Sequence, residues 1–496
     1  MVIMKKRLFS CAIVFLLLVA GCAELPTASY ADGSPESSES APESPGREGE
    51  SEASTSAPES SSAATLPPKE VTENTLRICV DINHISSGIE RDTQIGMDRI
   101  LQLAAEKGGP TDVAVEYIPA SGSEREIKLE SLRVELMSGE GPDLFILAGD
   151  AYGQGALFPM IEISMRSGVF LPLDTYIENA QFMEWDKLTP KVMEAGRTEE
   201  GQLVVPMAYT MPFTFYRKSE VSHTPSTEMT WDDMMADETG ILRNAASTAY
   251  LEDGRLHGMD GDMWASSGIA PLLSLGALAD YDEKTLLFSE EELLQQAEEE
   301  FSLQSEIWEG ALGDLPANRK EFMHPDYDFL WSPMLEEDVL LRDEATTMIP
   351  IYSDEGGVTA TVTSFACINR NAKHAEEAFF VLDLLMSREV QQEARQYKLY
   401  NLIGDLNLSI PMHMDLMQEE YPIDPEQGTW YMSAEDFDTF STVRDQITAV
   451  RFRGGLEIKL YELENAWRNI AGGGSDDSFE DVVASTYNAM EQMLSE

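Results

Sequence analysis

Between residues 76 and 147, apolar strand-like runs alternate with amphipathic helical runs, and this pattern narrows the folds open to the chain. The predicted strands are residues 76–82, 113–117 and 144–147. The predicted helices are residues 92–107 and a run carrying Leu129, Leu132 and Leu136 on one face. Strands that alternate with helices form a parallel sheet covered on both faces, which makes the predicted fold class α/β. Ligands of such sheets bind beyond the carboxyl ends of the strands, so the loops at 83–88 and 148–155 are candidate binding loops.

The start of the chain has the pattern of a bacterial lipoprotein export signal. Lys5, Lys6 and Arg7 precede an apolar run over residues 8–20, and small residues lead to Cys22. A basic start, a short apolar run and small residues before a cleavage point define a secretory signal. We therefore expect residues 1–21 to be removed and Cys22 to carry lipid, palmitate included. A plain secretory signal or an uncleaved anchor is the alternative.

The segment that follows is unsuited to a packed core. Residues 33–65 are almost entirely Ser, Glu, Pro, Ala and Gly, with no aromatic residue. Such a composition buries too little apolar surface to offset the entropy lost on ordering. Residues 22–74 are therefore predicted to be a lipid anchor and a disordered linker. A spacer with no length requirement fits the same composition.

Length and charge limit the rest of the chain. More than 400 residues follow the linker, which is more than one hydrophobic core usually organises, so two lobes are expected. The formal net charge is −55 at pH 7. Nucleic acid and anionic lipid headgroups are repelled by such a charge. No nucleic-acid partner is expected.

The sequence shows no pattern of residues that favours a metal site or a catalytic site. The histidines at positions 84, 223, 257, 324, 374 and 413 are scattered and show no metal-binding spacing. Cys79 and Cys367 lie in apolar strand-like runs, so we expect two unpaired, buried thiols in preference to a disulfide. No G-x-S-x-G elbow, Cys-His arrangement or phosphate-binding loop is present. The sequence predicts no cofactor, no metal site, no catalytic residues and no enzyme.

Five stretches, in order along the chain, resemble the family 1 extracellular solute-binding proteins, the sugar-type receptors of ABC importers. The first is the helix end, Pro-Asp and apolar strand of residues 136–144, followed by 168–173. The others are residues 200–206 running to 215–218, the Thr-Trp-Asp helix start at 230–233, the strand 364–369 with its helix, and residues 472–478 before the last helix. Residues 283–325 depart from the family pattern.

The resemblance implies a two-lobed periplasmic-binding-protein-like fold of type II, with a hinge and a ligand cleft between the lobes. It places the N-terminal lobe at residues 75–195 and 360–405 and the C-terminal lobe at 196–359. Residues 406–496 are expected to be a helical region that completes the C-terminal lobe. The membrane subunits of the importer would be separate chains and would be the protein partners.

A sugar cleft needs aromatic rings for the apolar face of the pyranose and polar side chains for its hydroxyls. By topology, the first-lobe candidates are Asn83, His84, Asp150 and Tyr152. By resemblance to cleft segments of the family, the second-lobe candidates are Tyr209, Thr210, Trp264, Trp331 and Tyr352. Most aromatic residues of a long chain are core or surface residues, so a structural role is the alternative for each.

These observations favour a lipid-anchored receptor that faces the extracellular or periplasmic side of the membrane and delivers a mono- or oligosaccharide to an ABC importer. A binding protein for a cationic solute such as a polyamine is the alternative that the acidic charge favours. A ligand-sensing lipoprotein without a transport role would use the same cleft.

Overall fold

The computed structural model describes residues 71–81, 87–149, 155–217, 223–237, 242, 275–308, 346–394, 410–416, 421–424, 428–430, 434–471 and 473–495. All of these lie in one compact unit, Pro68–Glu496. The predicted signal, Cys22 and the linker up to residue 70 lie outside the described residues. The same holds for six candidate site residues: Asn83, His84, Asp150, Tyr152, Trp264 and Trp331.

The described strands are short except for one long central strand. In chain order they are β1 (Leu76–Asp81), β2 (Val113–Ile118), β3 (Leu144–Ala148), β4 (Arg197–Thr198), β5 (Gly201–Gln202), β6 (Val204–Thr210), β7 (Phe213–Arg217), β8 (Ala279–Asp280), β9 (Thr285–Leu286), β10 (Thr346–Pro350), β11 (Val358–Ile368), β12 (Ile410–Pro411), β13 (Tyr421–Asp424), β14 (Gly428–Trp430) and β15 (Ile447–Phe452).

Helices separate seven of the fourteen pairs of consecutive described strands. The described helices are α1 (Ser87–Glu106), α2 (Gly122–Met137), α3 (Ile161–Arg166), α4 (Asp174–Ile177), α5 (Pro190–Glu194), α6 (Trp231–Met235), α7 (Glu290–Trp308), α8 (Ala375–Leu385), α9 (Arg388–Ala394), α10 (Ala434–Arg444), α11 (Leu456–Ala471) and α12 (Phe479–Ser495). No helix in the described ranges is long and apolar enough to cross a membrane.

The main sheet is mixed and has the order β12-β6-β11-β3-β1-β2, with β15 also paired to β11. The parallel pairing of β1 with β2 and β3 confirms the sequence prediction. β11 runs antiparallel to both β3 and β6, so the sheet is not parallel throughout. All 11 residues of β11 are buried, as expected of a strand whose two faces are both covered.

The first hydrophobic core packs on this sheet. Cys79 on β1 and Cys367 on β11 both lie beside Phe145 of the intervening strand β3. Both cysteines are buried and free, as the sequence predicts. Burial raises the pKa of each thiol well above its ordinary value, which leaves them inert packing groups.

The second core is built mainly from helices around the short ladder of β7 and β10. Trp231 and Tyr352 are among its largest buried side chains, and Phe301 stacks on Trp467 with ring centroids 4.4 Å apart. Helix α6 begins with a capping box between Thr230 and Asp233, as the Thr-Trp-Asp motif suggests.

The last helix also starts as predicted. The hydroxyl of Ser478 accepts a hydrogen bond from the backbone N–H of Asp481 at 3.1 Å and donates one to its carboxylate at 2.7 Å. Such a cap satisfies one of the backbone donors that the first turn of a helix leaves open.

The chain passes between the two cores at three described places: residues 211–212 after β6, 351–357 before β11, and 453–455 after β15. Two separate cores joined by repeated crossings confirm the two-lobed α/β prediction. Two predicted lobe limits need correction. β6 pairs with β11 in the first sheet, so the first crossing lies after Thr210 and not near residue 196. β15 pairs with β11 too, so residues 434–452 pack with the first core and only α11 and α12 complete the second.

Candidate ligand cleft

The carboxyl ends of β3 and β15 meet where the chain crosses between the cores. Both strands pair with the same edge of β11, one antiparallel and one parallel, so they run toward each other. The N–H of Gly149 donates to the carbonyl of Thr363 at 2.8 Å, and the N–H of Arg453 donates to that of Val362 at 2.9 Å. The predicted binding loop after β3 therefore begins against the third crossing.

Gly149 is required by this close approach. A Cβ atom at this position would lie 2.4 Å from the Cβ of Arg453 and 2.7 Å from its carbonyl oxygen. Contacts that short do not occur in relaxed proteins, and the second one involves backbone that cannot rotate away. The loop after β3 is thus fixed at its first residue.

A buried ion pair lies at the carboxyl end of β1. Asp81 ends β1, and its two carboxylate oxygens accept from the Arg125 guanidinium at 2.6 and 2.9 Å. Both side chains are 1% exposed. Arg125 also donates to the carbonyls of Pro119 and Gly155, at 2.9 and 2.6 Å. One guanidinium therefore ties together the segments that follow β1, β2 and β3.

A second buried charge cluster lies at the junction of the two cores. Arg451 on β15 and Glu457 in the first turn of α11 are 7% and 8% exposed, and their closest charged atoms are 3.7 Å apart. The Nε of Arg451 donates to the carbonyl of Gly276 at 2.8 Å, whereas its Nη2 has no hydrogen-bond partner in the described part of the chain. Burial lowers the pKa of Arg451 and raises that of Glu457.

Helix α3 joins this cluster from the side of the first core. Glu162 hydrogen-bonds Tyr281, which lies in the turn between β8 and β9. Burial, together with the nearby negative charge of Glu457, raises the pKa of Glu162 to about 7. The Arg166 guanidinium donates two hydrogen bonds, of 2.5 and 3.1 Å, to the carboxylate of Asp282. Glu162, Arg166 and Tyr281 border a cavity of about 200 Å³ at the junction.

Three of the candidate site residues are described, and the structure places all of them inside a core. Tyr209 is fully buried on β6, where its hydroxyl accepts a hydrogen bond from Thr189 at 3.4 Å, and burial raises its pKa to about 12. Thr210 is 1% exposed. Tyr352 is fully buried, and its hydroxyl lies 2.6 Å from Nε2 of His223.

The placement of Tyr209 and Tyr352 corrects the expectation that these rings face a cleft. β6 lies between β12 and β11, and all seven of its residues are buried, so no ring on it reaches a surface. Tyr352 lies in the second core, and its backbone N–H points at the sulfur of Met234. In this structure both rings serve packing. The other six ligand candidates lie outside the described residues.

The sequence analysis predicted neither of these two buried charge clusters. Asp81 carries a weak signal, because a carboxylate directly after a buried apolar strand is costly unless it is paired. Arg451 near the end of β15 and Arg453 just after it alternate with apolar residues, a pattern that also fits a solvent-facing strand. Only the pairing of β15 with β11 makes them buried.

Comparison with solved structures finds several solute-binding proteins among the chains of similar fold. A family 1 extracellular solute-binding protein from Alicyclobacillus acidocaldarius is 13% identical, with 85% of this chain and 98% of that chain covered and a TM-score of 0.47. The sugar-binding protein MalE from Xanthomonas citri is 14% identical, covers 85% and 97%, and has a TM-score of 0.48. A periplasmic oligogalacturonide-binding protein from Yersinia enterocolitica is 13% identical, covers 85% and 99%, and has a TM-score of 0.45.

These proteins are of the class that the five sequence stretches resemble. Because the TM-scores lie below 0.5, the assignment of the fold rests on the sheet order and the two cores described above. No protein-family model and no curated protein sequence matches the chain.

Proposed function

We propose that this chain is a lipid-anchored extracellular solute-binding protein that delivers a carbohydrate to an ABC importer by hinge closure. The observation that carries the proposal is the convergence of β3 and β15 at a crossing between two separate cores. A ligand held there touches both lobes, so it binds the closed arrangement better than the open one and shifts the population toward closure.

The crossings contain the residues that a hinge needs. Gly356 and Gly357 have φ angles of 86° and 74°, and Gly454 and Gly455 have φ angles of 111° and 58°. Glycine adopts such left-handed conformations without the steric cost that other residues meet. Two of the three crossings can therefore change their backbone angles at low cost, which supports bending between the lobes.

The carbohydrate part of the proposal rests on the sequence resemblance and on Trp264 and Trp331, which we propose as stacking residues. Names such as sugar-binding protein among the solved structures agree with it but carry no weight at these TM-scores. The alternative is a cationic solute such as a polyamine, which the net charge of −55 favours. A sensor role would use the same cleft.

The ligand class is tested by a thermal-shift screen of residues 68–496 against saccharides, polyamines and amino acids. A ligand at 100 times its dissociation constant stabilises the native state by about 2.7 kcal/mol, which is readily seen as a rise in melting temperature. We expect hits among saccharides, recovered chemically unchanged. Hits confined to polyamines would replace the carbohydrate proposal, and turnover of the saccharide would contradict a pure binding role.

Once a ligand is found, single variants test the aromatic contacts. Trp331→Ala is expected to weaken binding by about 1–3 kcal/mol if its ring stacks on the ligand. Tyr209→Phe is the control, because Tyr209 is fully buried in the first core and the loss of its hydroxyl should leave affinity unchanged. Unchanged affinity in Trp331→Ala would remove this residue from the proposed site.

Anchoring is tested separately. Cys22→Ala should move the protein from the membrane fraction to the medium or periplasm, because the proposed lipid is attached to that thiol. Lys6→Ala alters the same signal without touching the attachment residue and serves as the control. Retention of the Cys22→Ala variant in the membrane would mean that another feature anchors the chain.

A further inference from the structure

The cavity of about 200 Å³ at the junction is lined by residues of both cores. On the side of the first core the lining includes Met165, Val450 and Phe452. On the side of the second core it includes Leu278 and Leu456. Each core is closely packed, so bending between the lobes moves one wall of the cavity against the other. The access of water to the cavity therefore depends on the angle between the lobes.

Glu162 borders this cavity from helix α3, and most of its surface is covered. Its carboxyl group hydrogen-bonds the hydroxyl of Tyr281, which packs against the second core from the turn between β8 and β9. Helix α3 packs on the first core through Ile161 and Met165 and on the second through Ile163. The hydrogen bond of Glu162 therefore lies where the two cores meet.

No arginine at the cavity is reserved for Glu162. The other ionisable residues that line the cavity come from five elements: Arg166 on α3, Arg197 on β4, Tyr281 in the turn after β8, Arg451 on β15 and Glu457 on α11. The three arginines are paired, in that order, with the carboxylates of Asp282, Asp174 and Glu457. Among the described residues, none of the three forms an ion pair with Glu162.

These surroundings favour the protonated form of the Glu162 carboxyl group. Burial, together with the negative charge of Glu457, raises its pKa to about 7, whereas the hydrogen bond from Tyr281 and the charge of Arg166 act in the opposite direction and are outweighed. Water that enters the junction hydrates the carboxylate, so an arrangement of the lobes that admits water favours release of the proton. Because linkage is reciprocal, release of the proton favours that arrangement.

We propose that Glu162 is a proton-dependent switch of the lobe arrangement. With its proton bound, the carboxyl group hydrogen-bonds Tyr281 and the junction stays packed as in this structure. When the carboxyl group releases its proton to the solvent, the arrangement that admits water to the junction gains population. The switch rests on the hinge of the proposed function, but it does not depend on which solute the cleft binds.

The test measures the distance between the lobes without added solute, between about pH 5.5 and about pH 8.5, on either side of the pKa of Glu162. Noncanonical amino acids carry spin labels at the exposed positions Ser131 of α2 and Glu291 of α7 in the full-length protein, so its own cysteines stay unlabelled. We expect the distance distribution from electron paramagnetic resonance to change by several ångströms, with a midpoint at about pH 7.

Glu162→Gln removes the titration and keeps a neutral group that can hydrogen-bond Tyr281. This variant should hold the low-pH distribution over the whole pH range. Glu178→Gln is the matched control, because it removes an exposed carboxylate that does not line the cavity, and it should keep the wild-type change. Thermal unfolding checks that both variants fold.

Tyr281→Phe tests the contact between the lobes. The Tyr281 hydroxyl lowers the pKa of Glu162 by donating to the ionised carboxylate. Its removal should therefore move the midpoint of the distance change upward by about one pH unit. A tyrosine that only fills space would leave the midpoint in place, so this variant separates the switch from simple packing.

An unchanged distance distribution across the pH range would overturn the switch. A pH-dependent change that persists in Glu162→Gln would overturn it too, because the change would then come from other charges of the chain. A midpoint that Tyr281→Phe leaves in place would have the same consequence.

The same labelled protein is then measured with the saccharides, polyamines and amino acids of the thermal-shift screen. A change of distance with a solute but not with pH overturns the switch alone. A change of distance with pH, without binding of any solute, overturns the proposed receptor function alone.

Discussion

Two buried charge pairs among the described residues, Asp81–Arg125 and Arg451–Glu457, are hydrogen-bonded to different degrees. Within the first lobe, Asp81 and Arg125 form two short hydrogen bonds and leave no gap in their pairing. At the junction between lobes, Arg451 and Glu457 lie 3.7 Å apart, and Nη2 of Arg451 has no partner in the described part of the chain. The pairing at the end of β1 is therefore complete, whereas the junction leaves one polar group of its charge cluster without a partner among the described residues.

The difference follows from what each site joins. Arg125 joins the end of β1 to the segments after β2 and β3 of the same sheet. The geometry of these hydrogen bonds is therefore set when that sheet folds. Arg451 and Glu457 belong to elements of different cores, joined by a glycine-rich crossing. A fully paired buried network there would oppose bending, because breaking it costs several kcal/mol.

The largest expected loss of stability follows from removing the buried ion pair of Asp81 and Arg125. Arg125→Met should lower the free energy of unfolding by about 3–5 kcal/mol, because Asp81 is left as an unpaired buried charge. Arg99→Met, which removes a partly exposed pair with Glu393, is the control and should cost less than about 1 kcal/mol. Equal losses by denaturant unfolding would contradict the distinction between the two kinds of pair.

A smaller loss is expected from the convergence of the two strands. Gly149→Ala should destabilise the protein by about 1–3 kcal/mol, because the added methyl group overlaps the backbone of Arg453. Gly276→Ala is the control, since its added Cβ would meet nothing closer than 3.6 Å. If both variants melt at the wild-type temperature, β3 and β15 do not approach as closely as the structure has them.

The junction should tolerate substitution better. Arg451→Met is expected to cost only about 1–2 kcal/mol, because the guanidinium is incompletely paired and Glu457 keeps the favourable charge of Arg453. The comparison with Arg125→Met under identical denaturant conditions is the measurement. A loss of unfolding free energy as large as that of Arg125→Met would show that the Arg451–Glu457 pair stabilises the protein as much as the Asp81–Arg125 pair.

A pH dependence is expected at the same junction. The pKa of Glu162 is raised from 4.5 to about 7, so its favourable contribution is complete below about 4.5 and is lost as the pH rises through 7. Glu162→Gln should therefore melt above the wild type at pH 8, and this difference should disappear near pH 5. Glu130→Gln alters an exposed carboxylate and should show no such trend. A pH-independent difference would mean that Glu162 is charged in the folded protein throughout.

The sequence predicts the local elements of this fold better than the arrangement of the lobes. The apolar runs of β1 and β3 and the caps of α6 and α12 depend on neighbouring residues, and all are found where the patterns indicate. The lobe limits depend on the pairing of β6 and β15 with β11, from which they are separated by more than a hundred and by about eighty residues. No local pattern carries such pairings.

The candidate site shows the same limit. Tyr209 has the residue type that a sugar cleft needs, but the packing of the first core buries it. Arg125 is an ordinary residue of a charged helix until the sheet places Asp81 beside it. Burial and partners, and not residue type alone, separate packing residues from site residues here.

The most direct test of the account is a distance measurement between the lobes with and without ligand. Spin labels at Ser131→Cys on α2 and Glu291→Cys on α7 would report that distance by electron paramagnetic resonance, because both positions are exposed and Cys79 and Cys367 are buried. With the saccharide identified by the thermal-shift screen, we expect the distance distribution to shift by several ångströms to a narrower one. An unchanged distribution at saturating ligand would contradict hinge closure.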